Sequence, residues 1–270
     1  MHDLSRLIAR WPVEKAAVGV TDASATLGVG GDVAWVKRIA SISKVLVGLA
    51  GLIALEEGTI SLDEPAGPEG STVRHLLAHA SGLAFDEHRR LADTERRRIY
   101  SNAGIEQFAD HLAAKAGMAF DRYLAEAVLH PLGMDSTELR GSPAHGVHSN
   151  VGDLLCLARE LLAPRLIATK TLEMATSPHF PGLRGVVPGL GSFDPNPWGL
   201  ALEIRGDKDP HWTGVRNSPR TFGHFGGSGT FLWVDPVPGI ACVGIADREF
   251  GPWALEAWPS FSDDVLKLYG

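Results

Sequence analysis

The chain has 270 residues, a length that suits one large α/β unit or two interleaved lobes. Hydrophobic residues make up 44% and charged residues 21%, so a sizeable core can form, as in ordinary globular proteins. The formal net charge of −7 argues against a nucleic-acid-binding surface, which needs basic side chains for the phosphates.

The N-terminal sequence, MHDLSRLIARW, has the pattern of an amphipathic helix and lacks the continuous apolar stretch of a secretory signal. The longest strongly apolar stretch, 45–55, is too short for a bilayer, which takes about 20 residues. We therefore expect a cytoplasmic protein without a membrane-bound segment.

Strands are predicted near both ends of the chain and helices in the middle. The predicted strands are 16–21, 25–30, 198–204, 221–223, 228–235 and 239–246, the last two forming a hairpin. The predicted helices are 1–11, 41–57, 72–79, 102–116, 119–129, 150–162, 168–175 and 254–268. A loop rich in Gly and Pro is predicted at 181–197.

This order of elements predicts an α+β fold in which an antiparallel sheet is flanked by helices and an all-helical domain is inserted. The sheet domain would comprise 1–66 and 190–270, and the helical domain 67–189. Because ligand sites favour the seams between domains, we expect the active site there. The helix 41–57 is apolar almost all round, so it should be buried between layers.

Ser41-Ile42-Ser43-Lys44 is the only S-x-x-K sequence in the chain and starts this buried helix. Positions three apart share a helix face, so the Ser41 hydroxyl and the Lys44 amine would lie side by side. Burial disfavours a charged amine, which makes Lys44 a base for Ser41, and the free N–H groups of the helix end suit an oxyanion. In the simpler alternative, Ser41 only caps the helix and Lys44 extends to solvent.

Two later sequences carry further polar groups. Residues 100–102 (YSN) can present a phenol for proton transfer and an amide that holds a substrate carbonyl. Residues 223–230 (GHFGGSGT) enter a strand, where glycines indicate the close approach of a backbone or a ligand. The simpler alternatives are a packed Tyr100 followed by Asn102 as a helix cap, and a strand kink with an incidental histidine.

Other candidate residues favour structural interpretations. Cys156 and Cys242 lie in apolar sequence and are expected to be free, buried thiols. His75 and His79 have the spacing of zinc-binding helices but no glutamate between them, so no metal is expected. The basic run 96–98 is interpreted as the solvated face of a helix.

Together these motifs resemble the serine β-lactamase and penicillin-binding-protein superfamily, most closely its class C-like branch of esterases and small peptidases. The S-x-x-K, Y-x-N and H-x-G motifs of that superfamily match residues 41–44, 100–102 and 224–226. The sequence between the motifs is similar too, as at EEGTISLDEP (56–65), VRHLLAHASGL (73–83) and HPLGMDST (130–137). The resemblance runs from about residue 16 to 250 and implies the β-lactamase/transpeptidase fold.

The resemblance also implies catalytic roles. Ser41 attacks a carbonyl and is acylated, and Lys44 deprotonates it together with Tyr100. Tyr100 then passes the proton to the leaving group and later activates water. The backbone N–H groups of Ser41 and Gly227 form the oxyanion hole. No cofactor or metal is implied.

Three further residues are implied to bind the substrate. Asn102 orients its carbonyl, while His224 and Gly226 lie beside its carboxylate or acyl tail. His224 stands where the superfamily usually has Lys, and a histidine gives a weaker, pH-dependent positive charge. The loops at 65–72 and 83–99, which usually shape the pocket, are short.

We therefore expect a serine hydrolase that acts through a Ser41 acyl-enzyme on a small molecule, most simply a carboxylic ester. The alternatives are a β-lactamase, a D-amino-acid amidase or carboxypeptidase, and a binding or sensor module of the same fold that acylates slowly or not at all. Neither nucleic acid nor a membrane is an expected partner, and the sequence leaves the oligomeric state open.

Overall fold

The structure is a computed structural model that describes residues 2–270. Its strands are β1 (His2–Asp3), β2 (Ala16–Thr21), β3 (Thr26–Gly31), β4 (Lys37–Arg38), β5 (Glu138–Leu139), β6 (Val147–Ser149), β7 (Gly185–Val187), β8 (Gly191–Phe193), β9 (Glu203–Ile204), β10 (Phe222–Gly226), β11 (Thr230–Asp235) and β12 (Ile240–Ala246). Its helices are α1 (Ser5–Ile8), α2 (Ser43–Glu56), α3 (Val73–Leu77), α4 (Asn102–Ala116), α5 (Phe120–Leu124), α6 (His130–Leu132), α7 (Val151–Leu162), α8 (Thr169–Ala175) and α9 (Pro252–Tyr269). A 3₁₀ turn, Ala40–Ile42, precedes α2, and a π-helical turn, Ala125–Leu129, joins α5 to α6.

The largest sheet within residues 2–270 has seven strands in the order β1-β3-β2-β12-β11-β10-β9. All neighbours are antiparallel except β1 and β3. Strands from distant parts of the sequence alternate, because β12 pairs with β2 from Ala246↔Ala16 to Ala241↔Thr21. This sheet, flanked by helices, confirms the predicted α+β class.

The sheet separates two apolar cores, because successive side chains of a strand point to opposite faces. In β11, Leu232 and Val234 belong to the core that contains α2 and α7, while Phe231 and Trp233 belong to the core beneath α9. Helix α7 contacts β2 and β12 although it lies within the segment 67–189. The division into domains 1–66 with 190–270 and 67–189 stays a prediction.

Helix α2 is buried from Ser43 to Ala54, as its all-round apolar sequence predicts. Two glycines allow its close packing. A Cβ atom on Gly51 would lie 2.6 Å from the Phe108 ring, and one on Gly48 would lie 2.9 Å from the Ala201 side chain. The helix therefore has a fixed position between the sheet and α4, and its N-terminal end is fixed with it.

Three sequence predictions are wrong in extent. The predicted helix 1–11, whose first residue lies outside the described residues, is the single turn α1, because the N–H of Leu4 donates to the Val29 carbonyl and His2–Asp3 belong to the sheet. The predicted strand 198–204 is reduced to β9, since Ala201 has a left-handed backbone with φ of 58°. The predicted loop 181–197 contains the hairpin β7–β8.

The basic run 96–98 is not a helix face. Arg98 is 3% exposed, and its guanidinium donates to the carbonyl groups of Ala78, Asn196 and His179. Its backbone forms a parallel β-bridge with Gly185. Only Arg96 and Arg97 are exposed.

Cys156 and Cys242 are free thiols, of which Cys242 is buried and Cys156 is partly exposed. The thiol of Cys242 has a pKa well above its usual value because it is buried. Across residues 2–270, no helix combines the length and the apolarity that a membrane crossing needs.

Phe108 provides a test of the core around α2. Its side chain is completely buried, so Phe108→Ala should lower the free energy of unfolding by about 3–5 kcal/mol. Val237, which is 63% exposed, gives the matched control: Val237→Ala should change it by no more than about 0.5 kcal/mol. Urea titration followed by tryptophan fluorescence measures both. Equal stabilities of the two variants would contradict the position of Phe108.

Candidate active site

Ser41 lies in the 3₁₀ turn directly before α2, and its side chain is partly exposed. The preceding residue, Ala40, has a left-handed backbone with φ of 47°, a conformation that costs free energy for a residue other than glycine. The hairpin β10–β11 holds this turn, since the hydroxyl of Thr230 donates to the Ile39 carbonyl and that of Ser228 to the Arg38 carbonyl, both at 2.8 Å.

Gly226 allows the hairpin β10–β11 to lie close against the backbone that precedes Ser41. A Cβ atom at this position would overlap the Ile39 carbonyl oxygen. The close approach that the glycines of the third motif predict is therefore that of the backbone before Ser41. Gly226 is not among the residues that line the pocket in front of Ser41.

The Lys44 side chain is completely buried directly behind Ser41. Its Nζ lies 3.4 Å from Ser41 Oγ, and it donates to Asn102 Oδ1 at 2.6 Å and to the Ala144 carbonyl at 2.8 Å. Burial lowers the pKa of Lys44 to about 7, against the opposing effect of the Asp86 charge. A large fraction of the amine is therefore uncharged near neutral pH, in contact with a hydroxyl.

Asn102 has both ends of its amide occupied. Its Oδ1 accepts from Lys44, and its Nδ2 donates to Asp86 Oδ1 at 2.7 Å. Asp86 therefore fixes which way the amide points. The N-cap of α4 is Ser101, whose Oγ accepts from the Gly104 N–H at 2.9 Å. The simpler alternative, in which Asn102 caps this helix, is therefore wrong.

The Tyr100 ring lies over the Lys44 amine, with Nζ 4.7 Å from the ring centre. The Tyr100 hydroxyl is buried beside the Ser41 side chain, and no other hydrogen-bond partner lies within reach of it among residues 2–270. Burial raises the pKa of Tyr100 far above its usual value. The phenol thus stays protonated and can act as a hydrogen-bond donor.

His224 is an uncharged hydrogen-bond acceptor. Its Nδ1 lies 2.6 Å from the Phe225 carbonyl, which accepts only from a protonated nitrogen, so Nε2 carries a free lone pair. Nε2 is buried without a partner in the described chain. Burial, with a contribution from Lys44, lowers the pKa of His224 to about 3. The pH-dependent positive charge predicted from the sequence is therefore lost well below neutral pH.

A pocket of about 240 Å³ brings Ser41, Tyr100, His224 and Gly227 together. Most of its other lining residues are apolar: Phe85, Val187, Pro188, Gly189, Trp198, Phe225 and Phe250. Lys44 and Asn102 lie behind this wall. The pocket is smaller than the range of about 300–1,000 Å³ typical of sites for drug-sized ligands, so it fits a small group.

Glu203 lies at this pocket and was missed by sequence reasoning. It is buried, with Oε1 2.9 Å from Lys208 Nζ and 3.1 Å from His211 Nε2. Burial by itself raises the pKa of Glu203, but Lys208 and His211 outweigh this and hold that pKa well below its usual range. The carboxylate is thus neutralised locally and is not free to bind a ligand cation.

His75 and His79, the candidates for a zinc site, each have a structural partner. His75 Nδ1 lies 2.8 Å from Thr72 Oγ1 and its Nε2 3.0 Å from Glu95, while His79 Nδ1 accepts from the Ser101 N–H. In the part of the chain from residue 2 onward, no three His, Cys, Asp or Glu side chains are grouped to hold a metal ion.

The ionisation of Lys44 can be measured directly. In protein labelled with ¹³C at lysine Cε, we expect one resonance to titrate with a midpoint near pH 7, because the amine is buried. Asp86→Asn should move this midpoint to lower pH, since the Asp86 charge favours the ammonium form. Glu87→Gln, an exposed neighbour that pairs with Arg89, should leave it unchanged. A midpoint near 10 for every lysine would contradict the buried amine.

The chain matches the family model described as Beta-lactamase over residues 9–263. It is 49% identical to a beta-lactamase from Mycobacterium bovis, with a TM-score of 0.97 and coverage of 98% of both chains. Simvastatin synthase from Aspergillus terreus (16% identity, TM-score 0.81, 98% of this chain and 96% of that one) has the same fold. So does EstCE1, described as a hydrolase with promiscuous acyltransferase activity (16%, TM-score 0.76, 98% and 96%).

No curated protein sequence matches the chain. The family model nevertheless spans nearly all of its residues, and the M. bovis structure superimposes over almost its whole length. The chain therefore belongs to the Beta-lactamase family of serine hydrolases.

Proposed function

We propose that the protein hydrolyses small carboxylic esters through an acyl-enzyme on Ser41. The observation that carries the proposal is the buried Lys44 amine, uncharged in large part near neutral pH, 3.4 Å from the Ser41 hydroxyl in front of a small apolar pocket. An amine in this state accepts the hydroxyl proton as the oxygen attacks a carbonyl.

The first half of the reaction forms the bond between Ser41 Oγ and the substrate carbonyl carbon, and the proton moves from Oγ to Lys44 Nζ. The backbone N–H groups of Ser41 and Gly227 stabilise the negative charge on the carbonyl oxygen. The ester C–O bond then breaks, and the leaving alcohol receives a proton through the Tyr100 hydroxyl. Asn102 holds Lys44 in place, since its Oδ1 accepts from Nζ.

In the second half, water attacks the acyl carbon and releases the carboxylic acid and free Ser41. Tyr100 and His224 both line this pocket, the first with a hydroxyl group and the second with a neutral imidazole. Either group has the hydrogen-bonding capacity to orient the attacking water.

His224 supports an ester as substrate. Where most members of the resembled superfamily have a lysine, this chain has a neutral ring that lines the pocket. A neutral imidazole lacks the positive charge with which an ammonium group binds a carboxylate, so the carboxylate of a β-lactam or a D-alanyl peptide loses its partner here.

A second candidate is hydrolysis of a β-lactam or of a D-amino-acid amide. The 49% identity with the M. bovis protein that is described as a beta-lactamase favours it. A binding or sensor module is the third candidate, and the presence of Ser41, Lys44 and Tyr100 in one site counts against it.

The nucleophile is tested with 4-nitrophenyl acetate and a chromogenic cephalosporin. We expect turnover of the ester to exceed that of the cephalosporin, and Ser41→Ala to lower ester kcat by at least about 10³-fold. Ser24→Ala, in the exposed turn after β2, is the control and should keep wild-type rates. Ester turnover that survives Ser41→Ala would refute this nucleophile, and faster turnover of the cephalosporin would favour the second candidate.

The pH dependence of ester hydrolysis tests Lys44 and His224 together. Because the base must be unprotonated, kcat/KM should rise with pH through a single inflection near pH 7, the pKa of Lys44. His224 should contribute no inflection between pH 5 and 9, because it stays neutral down to about pH 3. His224→Gln should keep the inflection, whereas Lys44→Ala should lose most of kcat. A rate independent of pH between 5 and 9 would argue against Lys44 as the base.

A further inference from the structure

A second cavity of about 560 Å³ lies next to the pocket that contains Ser41. The two share Phe85, Tyr100 and Pro188 as lining residues, so these side chains form the border between the two cavities. We call the second cavity the arginine groove, because Arg97 and Arg184 line it. Sequence motifs give no indication of it.

The backbone explains why the two arginines meet. Arg98 and Gly185 form a parallel β-bridge, and the Arg98 N–H donates to the Arg184 carbonyl at 2.9 Å. One step back along both segments, Arg97 lies beside Arg184, at a spacing of about 5 Å between paired segments. The buried Arg98 guanidinium anchors this pair of segments to the carbonyls of Ala78 and Asn196.

Side chains of an extended segment point alternately to its two sides, so residues two positions apart lie on the same side. This alternation puts apolar side chains next to the arginines. Two steps after Arg97 and Arg184, Ile99 and Val186 lie beside each other, and both line the groove. Val186 is 55% exposed and Phe85 is 48% exposed, which is unusual for large apolar side chains. The groove thus has an apolar part near Tyr100 and a cationic part beyond it.

The cationic part is not neutralised within the protein. Arg97 and Arg184 are exposed, and neither guanidinium has a hydrogen-bond or ion-pair partner among residues 2–270. No aspartate or glutamate lines the groove. Like charges side by side on paired backbone segments are destabilising, and this pair occurs in a chain whose net charge is −7. An anion between the two guanidinium groups would remove the repulsion.

We propose that the arginine groove binds an anionic group, a carboxylate or a phosphate monoester, at the far end of the substrate's leaving group. The inference rests on the proposed function, in which Tyr100 gives a proton to the leaving oxygen and so lies between the acyl pocket and the groove. Two adjacent guanidinium groups offer the paired N–H donors that carboxylate and phosphate oxygens accept.

The preferred substrate then has three parts. A small acyl group occupies the 240 Å³ pocket, an apolar alcohol or phenol lies against Phe85, Ile99 and Val186, and an anion ends the molecule at Arg97 and Arg184. This anion lies beyond Tyr100, away from the lone pair of His224, so the two features do not conflict.

A matched series of acetate esters tests the groove: 4-acetoxybenzoate, its neutral methyl ester, and 4-acetoxyphenyl phosphate. Wild-type protein should show kcat/KM about tenfold higher for at least one anionic ester than for the neutral one, as charge-assisted hydrogen bonds predict. The preference should fall at high salt, since exposed charges are screened. Comparison of the two anions identifies whether carboxylate or phosphate is bound.

The variants are Arg97→Gln, Arg184→Gln and the double variant, with the exposed Arg96→Gln as control. The double variant should abolish the preference for the anion, measured as the ratio of kcat/KM for the anionic ester to kcat/KM for the neutral ester. Arg96→Gln should retain the preference. Equal kcat/KM for all three esters in the wild type, or a preference that survives the double variant, would overturn the proposal.

A binding measurement separates this proposal from the proposed function. Calorimetry with 4-hydroxybenzoate and with 4-hydroxyphenyl phosphate, the two leaving groups, requires no catalysis. At least one should bind the wild type, with Kd about tenfold higher in the double variant. Binding without ester turnover would support the groove and contradict the esterase proposal. Absence of binding, or affinity unaffected by the double variant, would overturn the groove even if the neutral ester is hydrolysed.

Discussion

The burial of one amine is the constraint on which the rest of the site depends. Lys44 is held away from water by an apolar helix on one side and the Tyr100 ring on the other, and its uncharged form is a consequence of that burial. An uncharged amine still needs hydrogen-bond partners, and Asn102 and Ala144 provide them. The charges of two carboxylates, Glu106 and the Asp86 group that accepts from the Asn102 amide, oppose this lowering of the Lys44 pKa.

The same low-polarity environment governs the neighbouring groups. Tyr100 keeps its proton and His224 never gains one, so near neutral pH the pocket offers a donor and an acceptor and no fixed charge at either residue. Charged groups lie at the edges of the pocket. Glu203 is ion-paired with Lys208, and the two arginines of the groove have no ion-pair partner among residues 2–270. This distribution favours an uncharged group in the pocket, with any charge of a bound ligand kept at a distance.

Sequence reasoning found the residues whose chemistry shows in short motifs. Ser41 and Lys44 share a helix face, so the proximity of these two residues follows from local geometry. Tyr100 and Asn102 lie on either side of the helix cap Ser101, so they too are close for a local reason. Asp86, Trp198 and the arginine groove could not be found, because they reach the site through contacts distant in sequence. The run 96–98 illustrates the limit: its charges suggest a helix face, yet a bridge to Gly185 turns Arg98 inward and Arg97 outward.

The hairpin that holds the strained turn before Ser41 comes from a part of the chain synthesised almost two hundred residues later. The N-terminal strands likewise find their central neighbour only in β12. A chain emerging from the ribosome therefore carries Ser41 and Lys44 long before the turn that positions Ser41 is held in place. Contacts of such sequence separation also form slowly, so the surroundings of Ser41 are completed late, with the closing of the sheet.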